Sequence, residues 1–463
     1  MTITIGILLI LSFIFMVWYC VKGYNLMVGF FIMATLWTAL ALIGNAIEPN
    51  SAITALLNPA AATSKVANTT GNALIPVLNQ VFQNGPAGFA QSILVNIFFG
   101  SFFGRVLMDS GIAATLIRKV VELGGDKPRI TMSLLCIVTA IIFTTMTGIG
   151  PVIAIAVIVL PIFMSLGIPS PVAMFAFMGS IMAGILWNVT NFLQYQGIFA
   201  TFYKDVLNYS FNDYTPIALI GTVVTLVVVL LVSNLSLGRK KSYAMAATVS
   251  ADNGKDAPAY SWIAIILPVI LILAFKGFPV ILAFIIAAVY AMLTTGLFKG
   301  GFKEVCRKLA KFFSDGAVDV APMIGFLLML AMFNNAAAFS APYFTAIFGD
   351  IIPTSAIVLT IMFAVLIPLG FFRGPTNLVG SGAALLAVVA AANPHAGVAF
   401  MFPIFAIATI VPQHLDITQS WVAWGLGYTK VSAKEYMKRS IPTGYLVGAI
   451  MIIVTFILYG SQF

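Results

Sequence analysis

Two short stretches decide the fold: Thr144–Pro151, reading TTMTGIGP, and Leu369–Asn377, reading LGFFRGPTN. Each is a Gly-Pro break inside a long apolar run. Sliding the chain by 224 residues puts Gly150 on Gly374 and Pro151 on Pro375. The same slide lays the polar cluster Asn188-Val189-Thr190-Asn191 over Pro412-Gln413-His414-Leu415. The chain therefore carries two copies of one design, a broken apolar run followed by a polar interruption. The four interruptions read as one site built twice over.

The surroundings of these breaks are membrane-like. Of 463 residues, 61% are hydrophobic and 8% charged, against about 25% charged in soluble domains. The apolar runs last too long for strands of a pore, so the spans are helices. Cys20, Cys136 and Cys306 have no paired or metal-binding spacing. The N-terminal run from Thr2 to Trp18 has no basic leader and reads as a first span.

Ile130–Gly167 is apolar throughout. As a straight helix it would extend about 55 Å, while the hydrocarbon is about 30 Å thick. It must fold back or cross with a break, and Gly148, Gly150 and Pro151 mark the place. Backbone groups freed there must face protein, water or a ligand. Pro171–Lys204 is also too long, interrupted at Trp187–Asn191 with Gln194 and Gln196 following. Residues alone do not decide which of the two folds back. Gly88–Val120 reads as one span, with Arg105 and Asp109 four apart and able to pair on one helical face. In the second half, Lys303–Lys311 and Ser432–Arg439 read as separate basic stretches on the membrane surface, each ahead of its span.

Charge orients the halves. Arg118–Arg129 is basic but its counterpart Pro342–Pro353 has no Lys or Arg, while Lys303–Lys311 and Lys434–Arg439 are basic opposite uncharged or acidic counterparts. Positive charge in one copy only is the mark of opposite topology. With Lys22 inside, 18 of the 23 Lys and Arg fall on the cytoplasmic side and both termini outside. The expected fold is an all-α integral membrane protein of two inverted-topology repeats, 1–237 and 261–463, joined by a cytoplasmic linker, 238–260. Each repeat has five crossings and a re-entrant hairpin, and the broken helices meet at mid-membrane. The expected location is the bacterial inner membrane.

The motifs TTMTGIGP and FFRGPTN, with Val431-Ser432-Ala433-Lys434-Glu435 leading to Lys438-Arg439-Ser440-Ile441-Pro442, resemble the ion transporter superfamily of small-carboxylate carriers. The resemblance is closest to gluconate permeases and anaerobic C4-dicarboxylate carriers, and it runs over almost the whole chain. It implies hairpins that enter the membrane without crossing, each followed by an unwound helix. Ile130–Gly167 then becomes the first hairpin, with its tip at Thr147–Pro151, and Pro171–Lys204 opens at Asn188–Asn191. Ile352–Ala392 becomes the second hairpin, with its tip at Arg373–Asn377, and the following helix opens at Gln413–Thr418. It also implies a homodimer with a fixed scaffold and a moving transport domain. The first tip departs from the family in holding only Thr and Gly where relatives are often richer in Ser and Asn, and the second departs in carrying Arg373.

Helix N-termini at such breaks attract a carboxylate without formal charge, and glycines let a ligand approach the backbone. The expected substrate contacts are Thr147, Gly148, Gly150, Asn188, Thr190, Asn191, Arg373, Gly374, Thr376 and Asn377. Arg373, a charge in an apolar run, suits a bidentate grip on a carboxylate or a structural ion pair. Asp416, His414 and Thr418 are the expected coupling site for H⁺ or Na⁺. No Walker motif, nucleophile set or metal-binding cluster is present, so neither ATP, nucleic acid nor a resident cofactor is expected, and no enzyme activity. The expected partners are the lipid bilayer and a small organic anion: a hydroxy acid, sugar acid, or di- or tricarboxylate. The expected activity is secondary transport, with exchange of anions or an anion channel as rivals.

Overall fold

The computed structural model describes residues 2–22, 24–57, 72–237, 256–349 and 351–463. Lys65 and most of the expected linker, 238–255, lie outside the described residues. Every element described is helical. By length and composition, six helices among the described residues could cross a membrane, or eight if two sharply bent pairs each count as one span.

Local chemistry sets the helix starts. Asn25 caps Leu26–Ile47 by accepting from the Met27 and Val28 amides. Ser210 and Asp213 form a capping box at Phe211–Ser236, and Ser432 caps Ala433–Tyr459. Such caps satisfy amides that no earlier turn can reach.

The first expected hairpin consists of two helices, Pro128–Phe143 and Ile149–Ser165. Each is about 25 Å long at 1.5 Å per residue, short of the hydrocarbon thickness. Gly148, at φ 95°, starts the second helix from a conformation that other residues avoid. The next element is Ser170–Leu186 followed by Val189–Phe199, bent by 65° at Trp187-Asn188. In the second half the corresponding pieces are Ala356–Leu366 with its 3-10 continuation Ile367–Arg373, then Gly382–Ala392, Val398–Gln413 and Ser420–Thr429. The 224-residue shift thus relates helices as well as motifs.

Packing interlocks the halves. Leu26–Ile47 of the first half lies along Phe302–Phe348 of the second, and Val280–Thr295 of the second lies along Val95–Asp109 of the first. Aromatic rings fill these seams: Phe30 and Trp37 against Phe333, and Phe103 against Phe284.

Three local expectations are corrected. Lys303–Lys311 is not a separate surface helix; it forms the first turns of one unbroken 47-residue helix, Phe302–Phe348. Ser432–Arg439 likewise runs straight into the last span, Ala433–Tyr459. Gly88–Val120 is not one straight span, because Val95–Asp109 and Ile112–Gly124 meet at a 54° bend. Arg105 stands on Val95–Asp109, ahead of the bend, and faces the other half. It pairs with Asp319, through Nε and Nη2, rather than with Asp109.

Candidate functional site

The first break, Thr144–Gly148, is held by amides from the bent helix beside it. Asn188 Nδ2 donates to the carbonyls of Phe143 at 2.9 Å and Met146 at 3.0 Å. Its Oδ1 accepts from the Asn191 amide and caps Val189–Phe199. Asn191 Nδ2 then reaches Thr147 Oγ1 at 3.3 Å. One buried side chain therefore satisfies both a helix end and a helix start. Asn188→Ala loses the cap and strands two buried carbonyls, a cost of about 2–3 kcal/mol. The expected result is a melting temperature several degrees below wild type in detergent. A melt indistinguishable from wild type would rule out this stapling role.

The second tip is built differently. Phe372 and Arg373 are both left-handed, at φ 57° and 56°, a conformation costing roughly 1–2 kcal/mol per residue. Surrounding bonds hold them there. Ser381 donates to the Arg373 carbonyl from both its amide and its hydroxyl, at 3.0 and 3.2 Å. Asn377 Nδ2 donates to Gly370 O and its Oδ1 accepts from the Val379 amide. The Leu378 amide donates to Thr409 Oγ1 at 2.9 Å, tying the tip to Val398–Gln413. The outcome is an arginine whose direction is set by its own backbone. Its Nη1 donates to Val379 O at 3.3 Å, its Nη2 to Gln419 Oε1 at 3.0 Å, and its guanidinium lies 5.3 Å over Phe326.

A cavity of about 280 Å³ joins the two tips, the bent pair at Asn191 and Gln194, and the break between Gln413 and Ser420. Of the residues expected to meet a substrate, Thr147, Gly148, Asn191 and Arg373 line it. Asn188 and Asn377 lie behind, engaged in the bonds described. Thr190 Oγ1 and Thr376 Oγ1 are buried with no hydrogen-bond partner among the described residues. Gly150 and Gly374 face protein atoms: a methyl on Gly150 would overlap the Asp319 carboxylate, and one on Gly374 the Leu369 carbonyl.

Asp416, His414 and Thr418 form a second cluster beside this cavity. Asp416 is 1% exposed. Its carboxylate accepts from the Thr418 amide at 2.9 Å and the Thr418 hydroxyl at 2.7 Å. His414 Nδ1 lies 2.9 Å from the Ile410 carbonyl. A carbonyl only accepts, so Nδ1 carries the proton. The ring stacks on Trp421 at 5.5 Å.

Sequence reasoning did not single out several lining residues. Asp319 enters from the long helix Phe302–Phe348, and its signal was an acid inside a span, in VDVAP. Gln419 and Trp421 lie just past the expected window. Because Gln419 Oε1 accepts from Arg373, the amide orientation is fixed and Nε2 is left without a partner among the described residues. Trp421 Nε1 also has none among the described residues. Two further hydroxyls, Tyr436 Oη and Ser440 Oγ, are buried one turn apart on the last span with no partner among the described residues. Tyr436 is within electrostatic range of Asp416.

No family model matches the chain, and no curated protein does. Among solved structures, the chain resembles the YdaH transporter of Alcanivorax borkumensis, whose crystal structure is described as having an unusual topology. The likeness has a TM-score of 0.60 at 13% identity, over 94% of this chain and 98% of that one. At that identity what the two share is the fold.

Proposed function

We propose that the protein is a secondary active transporter of a small organic anion, coupled to H⁺ or Na⁺. The observation that carries this is the donor-rich wall of the cavity, where the Arg373 guanidinium, Gln419 Nε2 and Trp421 Nε1 gather at the meeting point of both tips. Gln419 Nε2 and Trp421 Nε1, donors with no partner among the described residues, stand beside the Arg373 cation and call for an anion that brings its own lone pairs. Thr147, Gly148 and Asn191 complete the binding surface, while Asn188, Thr190, Gly150, Gly374, Thr376 and Asn377 shape it from behind. The likeness to a solved transporter supports the class. The substrate and the ion are this reading's own.

Asp416 with Thr418, and His414 beside them, forms the coupling site. The logic is electrostatic. Asp416 and Arg373 are within electrostatic range, so a cation or proton on Asp416 leaves more of the guanidinium's field to the substrate. An anion moving inward against a negative-inside potential costs about 2.3 kcal/mol per charge per 100 mV. A co-transported cation offsets this. The two tips and bent helices would move as one body against the remaining helices, in a homodimer embedded in the bacterial inner membrane.

The test is uptake of labelled gluconate, citrate and succinate into proteoliposomes, under a Na⁺ gradient alone and a proton gradient alone. Saturable uptake of one acid under one gradient is the expected result. If no acid enters under either gradient, nor by exchange for internally loaded anion, the reading is wrong.

A further inference from the structure

We infer that Asp319 is a specificity-determining residue: it selects a substrate whose far end, opposite the bound carboxylate, donates hydrogen bonds, and it excludes a second carboxylate there. The inference rests on the anion reading of the cavity and narrows it. Asp319 and Phe326 both line the cavity and stand on the same helix, seven residues apart. Seven residues make two turns, so both side chains share one face about 10 Å apart along the axis. Arg373 lies over Phe326. The cavity therefore has a cationic end at Arg373 and an acidic end at Asp319.

Asp319 is not silenced by its ion pair. Arg105 takes one position on each oxygen through Nε and Nη2. A carboxylate accepts at about four positions, so two remain. A hydroxyl or ammonium can fill them. A carboxylate brought to the same place meets the Asp319 oxygens, which accept and cannot donate to it, a repulsive element of the kind that specificity needs.

The experiment compares pairs differing only at the far group: 4-hydroxybutyrate with succinate, and gluconate with glucarate. Uptake is measured for wild type and Asp319→Asn, with Arg105→Gln/Asp319→Asn as the variant that keeps the pair neutral should the single one fail to fold. Wild type is expected to favour the hydroxyl member of each pair tenfold or more, and the neutral variants to bring that ratio near one. Adding 4-aminobutyrate shows whether an ammonium serves better than a hydroxyl. If wild type takes the dicarboxylate equally well, or the variants leave the ratio unchanged, Asp319 is not the selector, while uptake lost in Arg373→Ala would still uphold the anion site. If wild type takes citrate but no member of either pair, this inference falls alone; if it takes none of these acids, the carboxylate reading falls with it.

Discussion

Arg373→Ala is expected to lower anion uptake by about 30-fold or more while leaving the protein folded. Removing a charged donor from a desolvated site costs roughly 2–5 kcal/mol of binding, and each 1.4 kcal/mol is tenfold. The tip itself does not depend on the side chain, because the Ser381 and Asn377 bonds engage backbone atoms. Alanine also tolerates the left-handed backbone no worse than arginine does. Arg373→Lys is expected to recover only part of the loss, since an ammonium cannot keep both the bond to Gln419 and a two-pronged grip on a carboxylate. The checks are initial uptake rates beside a melting curve. Unchanged uptake in Arg373→Ala would make the residue a structural cation, held by Phe326 and Gln419.

The second large effect concerns stability. Asp319→Ala leaves the Arg105 guanidinium facing a protein interior, and Arg105→Ala leaves a carboxylate that is 6% exposed. Breaking a buried pair from one side costs about 3–5 kcal/mol, because the survivor stays desolvated and unpaired. Both single variants should lose most of their monodisperse peak in detergent. The double Arg105→Gln/Asp319→Asn, which keeps a neutral hydrogen-bonded pair, should recover most of it. Asp109→Ala should do little by comparison, since Arg105 is bound elsewhere. Additive losses in the double variant, or an Asp109→Ala protein as damaged as Asp319→Ala, would contradict this assignment.

The breaks were legible in the sequence because Gly-Pro and clustered Asn interrupt apolar runs, and the membrane leaves such interruptions few uses. The correspondence between halves was legible for the same reason. Partners across the fold were not. Asp109, one helical turn from Arg105, is the natural local candidate, and nothing in one dimension shows that Phe302–Phe348 packs along Val95–Asp109 and brings Asp319, 214 positions away, to Arg105. The unbroken helix Phe302–Phe348 was hidden by its polar content. Four basic residues at its start and Asn334-Asn335 near its middle read as boundaries, yet they interrupt no backbone bonding. Asn188 was visible as a polar residue but not as a staple, because its partners are carbonyls, which leave no trace in residue identity.

The difference between that unbroken helix and its jointed counterpart has a consequence for energetics. Two interchangeable halves of opposite orientation could trade shapes, and the outward- and inward-facing conformations would then be degenerate. Here one half carries a rod about 70 Å long at 1.5 Å per residue, and the other a hinge. The trade is no longer even. On the transporter reading, the unloaded protein rests off-centre, with one face open more of the time, and its half-saturation concentrations on the two sides of the membrane differ by the same bias.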